Sequence, residues 1–208
     1  MKMPDKIEIK FAESKQDRSR RTLEDILEAA NYLLEQADPE LFTSRLLAVK
    51  SGYSLGTLNK RLISVENAFI WLIEQGQKKY IKQASQIIED FDSTAPLRVL
   101  VEEIIDAFFT IMKKVNPKVI RYYEHRMAFR TGFHEDYDRA DALVKPFLAA
   151  ARKNTTNTFR ELNEIEMQLI LRSTLSFVER PFIFDNPIAG TLEHRRIAVE
   201  NCVRMLGP

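Results

Sequence analysis

From Arg21 to the C-terminus, the apolar residues of this 208-residue chain recur at intervals of three and four. Nowhere do apolar and polar residues alternate between Asn-Gly or Gly-Gly turns. A three-four interval lines one face of an α-helix, whereas a half-buried strand needs a period of two. The chain is therefore predicted to be all-α. In residues 21–37, RTLEDILEAANYLLEQA, one stripe holds Leu23, Ile26, Leu27, Ala30, Leu33 and Leu34. Asp38-Pro39 closes it, because proline disfavours helical geometry in the residue before it. The same reading places helices over 43–50, 55–62, 65 to about 91, 97–115 and 118–130. Beyond these come 135–154 with a kink at Pro146, 161–179 ended by Arg180-Pro181, and 191–205.

A content of 45% apolar and 29% charged residues suits a globular protein with a real core. No run approaches the roughly 18 apolar residues of a membrane span. The opening MKMPDKIEIKFAESK lacks a signal-peptide core, and Cys202 is the only cysteine, which excludes disulfide frameworks and cysteine zinc sites. These features point to a cytoplasmic protein, and no motif asks for a metal or a cofactor. The net charge is only +1, but its distribution is uneven. Between Leu41 and Val65 the cations Arg45, Lys50, Lys60 and Arg61 meet no acidic residue, and Lys10, Lys15, Arg18, Arg20 and Arg21 enrich the segment before it. A local cationic surface on a nearly neutral chain suggests a polyanion partner.

Within that window, Gly52-Tyr53-Ser54-Leu55-Gly56 matches the G-x-S-x-G pattern of a hydrolase nucleophile elbow. An elbow requires a buried strand feeding into it. Here the approach is TSRLLAVK, with helical spacing and Thr43 as its cap, so the esterase reading fails. The alternative is a helix-turn-helix: Gly52 supplies the turn, Ser54 caps the second helix, and Ser64 caps the next. Leu47, Ala48, Leu58 and Leu62 hold the two helices together. Leu55, Thr57, Asn59, Lys60 and Arg61 project from the second, which is free to enter a major groove. An Asn59 amide matches the N6/N7 edge of adenine, and Lys60 or Arg61 matches guanine O6/N7 or a phosphate. The Thr57 hydroxyl serves a phosphate or a base, Arg45 approaches the backbone, and the amides behind Ser64 can hold a phosphate. The plainer alternative is a solvated helix face.

The pattern Thr43-x-x-x-Leu47-Ala48-x-x-Ser51-Gly52-Tyr53-Ser54-x-Gly56-Thr57-Leu58, then Leu62-x-Ser64-x-Glu66, resembles the signature of the TetR family of transcriptional regulators. The helix bearing Ile26-Leu27-x-Ala29-Ala30 fits the family's first helix, so the match covers about residues 20–70. The chain departs at Asn59 and Val65, where the family usually has a tyrosine and a lysine that commonly touch the DNA backbone. The resemblance implies a basic arm and three-helix headpiece over 1–66, then a helical ligand-binding and dimerisation domain over 67–208. It also implies a homodimeric regulator, a repressor, that binds a palindromic double-stranded operator and is released by an unidentified small molecule.

In the later helices, Phe108, Met112, Tyr123, Met127, Phe147 and Phe177 recur at helical spacing. Singly such residues are core; as a set they are the candidates to line an apolar cavity for that effector. His125 and Arg126 either orient a polar group of the ligand or form a surface salt bridge. The late helices resemble the segments that pair across the family's two-fold axis, with Leu171, Leu175, Val199 and Val203 as interface or internal residues. The rival reading is a helical ligand-binding dimer whose headpiece, altered at Asn59 and Val65, no longer recognises an operator.

Overall fold

The computed structural model describes residues 17–36, 39, 42–62, 64–130 and 139–208, the side chains of 17, 18 and 127–130 excepted. Among them there is no strand. The helices are α1 Asp17–Gln36, α2 Ser44–Ser51, α3 Leu55–Leu62, α4 Val65–Glu89, α5 Leu97–Met112, α6 Pro117–Arg130, α7 Val144–Lys153, α8 Glu164–Ile183 and α9 Leu192–Leu206. Two compact units result: residues 1–76 with 118–132, and 77–117 with 133–208, so the division falls inside α4.

In the first unit, α1 packs against α2 and α3. Ile26, Ala30, Leu47, Leu58, Leu62 and Ala68 are wholly excluded from solvent. The stripe read from residues 21–37 thus faces the core it was expected to face, although α1 begins earlier and takes in Arg20 and Arg21. Arg20 lies 3.6 Å from Glu24 along that helix. Lys10 and Lys15, the rest of the expected basic arm, lie outside the described residues, as does the side chain of Arg18. On α6, Tyr123 is buried with Ile70 and Ile73 in a small satellite cluster.

The second unit has a larger core, built on Leu97, Leu100, Phe108, Met167, Val199 and Cys202. Paired guanidinium forks tie its helices together. Arg195 on α9 donates from Nε and Nη2 to the Asp106 carboxylate of α5 at 2.6 and 2.8 Å. Arg172 on α8 grips Asp141 in the same way at 2.8 and 2.6 Å, with Gln168 adding a third bond. Each guanidinium holds its carboxyl below the usual carboxylate range.

Two expected helix ends differ. The helix expected over 135–154 breaks into turns at residues 142–143, and α7 starts afresh at Val144; residues 135–138 lie outside the described residues. Pro146 is therefore the third residue of a new helix, where its missing N–H is not needed, and no kink is required. Conversely, α8 runs through Pro181 to Ile183 instead of ending at Arg180. Proline inside a helix costs about 3 kcal/mol. Burying Phe182 and Ile183 at 7% and 1% exposure offsets that, at roughly 1.5–3 kcal/mol each. At its other end, α8 has a capping box: Asn163 accepts from the Glu166 amide at 3.0 Å, and Glu166 accepts from the Asn163 amide at 2.9 Å.

His194, in the first turn of α9, is only 2% exposed and lies against the rings of Phe109 and Phe182. Its Nδ1 accepts the Gly190 N–H at 3.1 Å, which fixes the neutral tautomer with the proton on Nε2. Burial pushes its pKa below the ordinary value. The folded state therefore favours neutral imidazole. Its stabilising contribution is complete above the unfolded value near pH ~6.5 and is lost as pH falls through the lowered folded value. The urea midpoint of the second unit is expected to hold from pH 8 to 7 and to fall between 6.5 and 5. That window lies above the one in which Asp106 and Asp141 lose their lowered-pKa contribution. A flat midpoint down to pH 5 contradicts this assignment.

Candidate nucleic-acid interface and cavity

The turn between α2 and α3 is built by local hydrogen bonds. Thr43 caps α2, its Oγ1 accepting from the Leu46 amide at 3.2 Å. Gly52 ends α2 at φ +73°, a left-handed conformation that costs a residue with a Cβ about 1–2 kcal/mol, and its N–H donates to the Ala48 carbonyl at 3.0 Å. Ser54 caps α3, accepting from the Thr57 amide at 3.2 Å, and its hydroxyl also meets Thr57 Oγ1 at 3.0 Å. Ser64 caps α4 through the Asn67 amide at 3.1 Å. Tyr53 donates to Asp25 Oδ2 at 2.6 Å and ties the turn to α1. Every expected cap is in place, and Ser54, the would-be nucleophile, sits between two helices.

Leu58 and Leu62 turn α3's inner face to the core. Leu55, Gly56, Asn59 and Lys60 are exposed and form one continuous opposite face, because a helix brings positions i, i+1, i+4 and i+5 together. A Cβ built on Gly56 meets only Ser54 Oγ, at 3.9 Å. The protein's own packing therefore gives no reason for this glycine, which costs a helix about 1 kcal/mol. Thr57 and Arg61 flank the face half-buried, and the Arg61 Nε is enclosed with no hydrogen-bond partner among the described residues. Arg45 is exposed on α2, and neither it nor Lys60 forms an ion pair among the described residues. Lys50 is drawn back instead, its Nζ 3.4 Å from the centre of the Tyr32 ring. Val65, where the resembled pattern carries lysine, is 9% exposed and belongs to the headpiece core.

The second unit contains a cavity of about 70 Å³. Phe108 and Phe147 line it. Met112 packs against the same core without lining the cavity. Two other candidates lie elsewhere: Tyr123 is buried in the first unit, and Phe177 is 41% exposed on α8. The Met127 side chain lies outside the described residues. Arg126 stands 3.6 Å from Glu66 and over the Tyr122 ring, all in the first unit, so of its two readings the ion pair holds. The cavity's polar lining residues among those described, Tyr80, Thr174 and Cys202, were not among the ligand candidates read from the sequence. Leu171 and Leu175 line the cavity as well, and Val199 and Val203 pack in the core. The exposed apolar residues of α8 are Ile165, Leu169 and Phe177.

Among the described residues no group of three His, Cys, Asp or Glu side chains is placed to hold a metal, and no helix is long and apolar enough to cross a membrane. No family model matches the chain, and no curated protein sequence does. Solved structures are similar to it. A protein assigned to the TetR-family transcriptional regulators, from Mesorhizobium loti MAFF303099, is 14% identical, with a TM-score of 0.65 over 93% of this chain and 100% of its own. A TetR family transcriptional regulator from Pseudomonas syringae pv. tomato str. DC3000 is 13% identical, with a TM-score of 0.59 over 93% and 96%. A third, from Marinobacter aquaeolei VT8, is 14% identical, with a TM-score of 0.54 over 91% and 97%. The chain has the fold of these regulators, a helix-turn-helix headpiece and a larger helical domain.

Proposed function

We propose that the chain is a homodimeric transcriptional regulator, a repressor, that reads a palindromic operator with α3 and is released by a small, largely apolar ligand held in the second unit. The observation that carries this reading is the exposed face of Leu55, Gly56, Asn59 and Lys60, set in a fully capped helix-turn-helix with no acidic residue from Leu41 to Val65. Gly56 lets the helix backbone approach a phosphate or base closely. Asn59 offers its amide to adenine, and Lys60 its charge to guanine or phosphate. Arg45, Thr57 and the amides behind Ser64 position the duplex by its phosphates, and Arg61 adds charge at the flank. Leu55 is suited to a thymine methyl. Two copies joined through the exposed apolar residues of α8 present two such helices to half-sites about 34–36 Å apart. Ligand then shifts the population toward a spacing of headpieces that no longer fits.

A second reading has support in Val65. Its side chain is part of the core, so one backbone contact of the resembled pattern is absent. This favours a headpiece that senses ligand without recognising an operator. Selection from a pool of randomised duplexes separates the two. The first reading expects enrichment of an inverted repeat with half-sites a whole number of turns apart. A pool that stays unenriched after repeated rounds supports the second.

A further inference from the structure

The cavity of the second unit contains a polar point that the protein leaves unanswered. Thr174 Oγ1 is buried there and has no oxygen or nitrogen hydrogen-bond partner among the described residues. A mid-helix threonine often bonds the carbonyl four residues back, and this one does not. A hydrogen bond with the Cys202 thiol eases that thiol's ionisation, but sulfur is a weak partner and leaves the hydroxyl free to bond a stronger one. The wall around it is hydrocarbon, including Val101, Ile105, Phe108 and Leu171. Among the described lining residues, Tyr80 and Cys202 add the further polar side-chain atoms, and both stay neutral. Burial pushes the Cys202 thiol up to about 12. Burial, with the Glu179 charge behind it, raises the Tyr80 phenol above its ordinary value. Among the described residues no charged side chain lines the space.

Resting on the ligand-sensing reading above, we propose that this cavity takes a compact, uncharged, mainly hydrocarbon ligand bearing one hydrogen-bonding group, and that the Thr174 hydroxyl bonds that group. An ionised ligand would lose its water and meet no counter-charge among the described lining residues. A wholly apolar ligand would leave the hydroxyl with nothing stronger than the Cys202 sulfur. The volume of about 70 Å³ selects small molecules.

Three probes of similar size test this on the full chain: phenol, toluene and benzoate, with dissociation constants from ligand-detected NMR. Phenol is expected to bind about three- to tenfold tighter than toluene, the difference made by one hydrogen bond, and benzoate to give no saturable binding. In Thr174→Val, which keeps the shape and removes the hydroxyl, phenol binds no tighter than toluene. In Thr174→Ser the preference for phenol returns. Thermal unfolding of Thr174→Val is expected to be unchanged or slightly higher, since a buried unsatisfied group has been removed. The proposal is overturned if phenol and toluene bind the native chain equally, if phenol's advantage survives in Thr174→Val, if benzoate binds as well as phenol, or if none of the three binds. The assay contains no DNA, so its failure is distinct from a failure to bind an operator.

Discussion

Leu58→Ala is expected to destabilise the first unit by about 2–5 kcal/mol, the range for removing most of a fully buried leucine from a packed core. Leu58 is 0% exposed and shares its cluster with Ile26, Leu47 and Leu62, so the truncation leaves a void that three helices must close. Small units hold little stability in reserve. The second unit has its own core around Leu100, Phe108 and Val199 and contains no part of this void. Calorimetry should therefore show the first unit melting separately and more than about 10 °C earlier, with the second transition in place and DNA binding lost at the temperature where the first unit opens. Leu55→Ala is the control. Leu55 is 44% exposed on the outer face of the same helix, and its truncation should stay within about 0.5 kcal/mol of the native chain. Equal destabilisation by the two changes contradicts the placement of α3.

Lys60→Ala is expected to have the largest effect on DNA binding with almost none on folding. Lys60 is exposed, lies on the acid-free face, and has no ion pair among the described residues to lose. Its charge therefore serves nothing described in the first unit. In a dimer the substitution removes two cations from the complex. The slope of log affinity against log salt should then be shallower by about 2, and affinity at low salt should fall at least about tenfold. Arg61 is expected to matter less, because its Nε is already enclosed by the protein. Lysine at position 65 does not restore a lost contact cleanly, since the Val65 side chain lies in the core and a charge there would have to be drawn out of it.

What could be read in the sequence was local. Thr43, Gly52, Ser54 and Ser64 each act on an amide or carbonyl within four residues, so composition and spacing were enough to place the turn and the bounds of α3. The Asn163-x-x-Glu166 box that starts α8 is equally local and was available to the same reasoning. The helix ends near Pro146 and Pro181 were not. The end near Pro181 depends on what Phe182 and Ile183 bury against, and a sequence does not display that energy. The aromatic candidates divide for the same reason. Phe108, Tyr123 and Phe177 look alike at helical spacing, yet one lines a cavity, one is buried in the other unit, and one faces solvent. Thr174 carried no signal, because a threonine inside a helix becomes chemically notable only when its hydroxyl is seen to face a cavity without an oxygen or nitrogen partner. Asn59 and Lys60, read as projecting from α3, are exposed, and so is Arg45, while Lys50 is drawn to Tyr32 and Val65 into the core.

The measurement that bears most directly on the central claim is fluorescence anisotropy of the full chain with duplex DNA from upstream of its own gene, across a salt series, for the native protein and Lys60→Ala. Saturable binding is expected that outcompetes a scrambled duplex, weakens steeply with salt, and loses affinity and about 2 units of slope in Lys60→Ala. Weak binding that ignores sequence and is unchanged by Lys60→Ala, joined to an unenriched duplex selection, would contradict it.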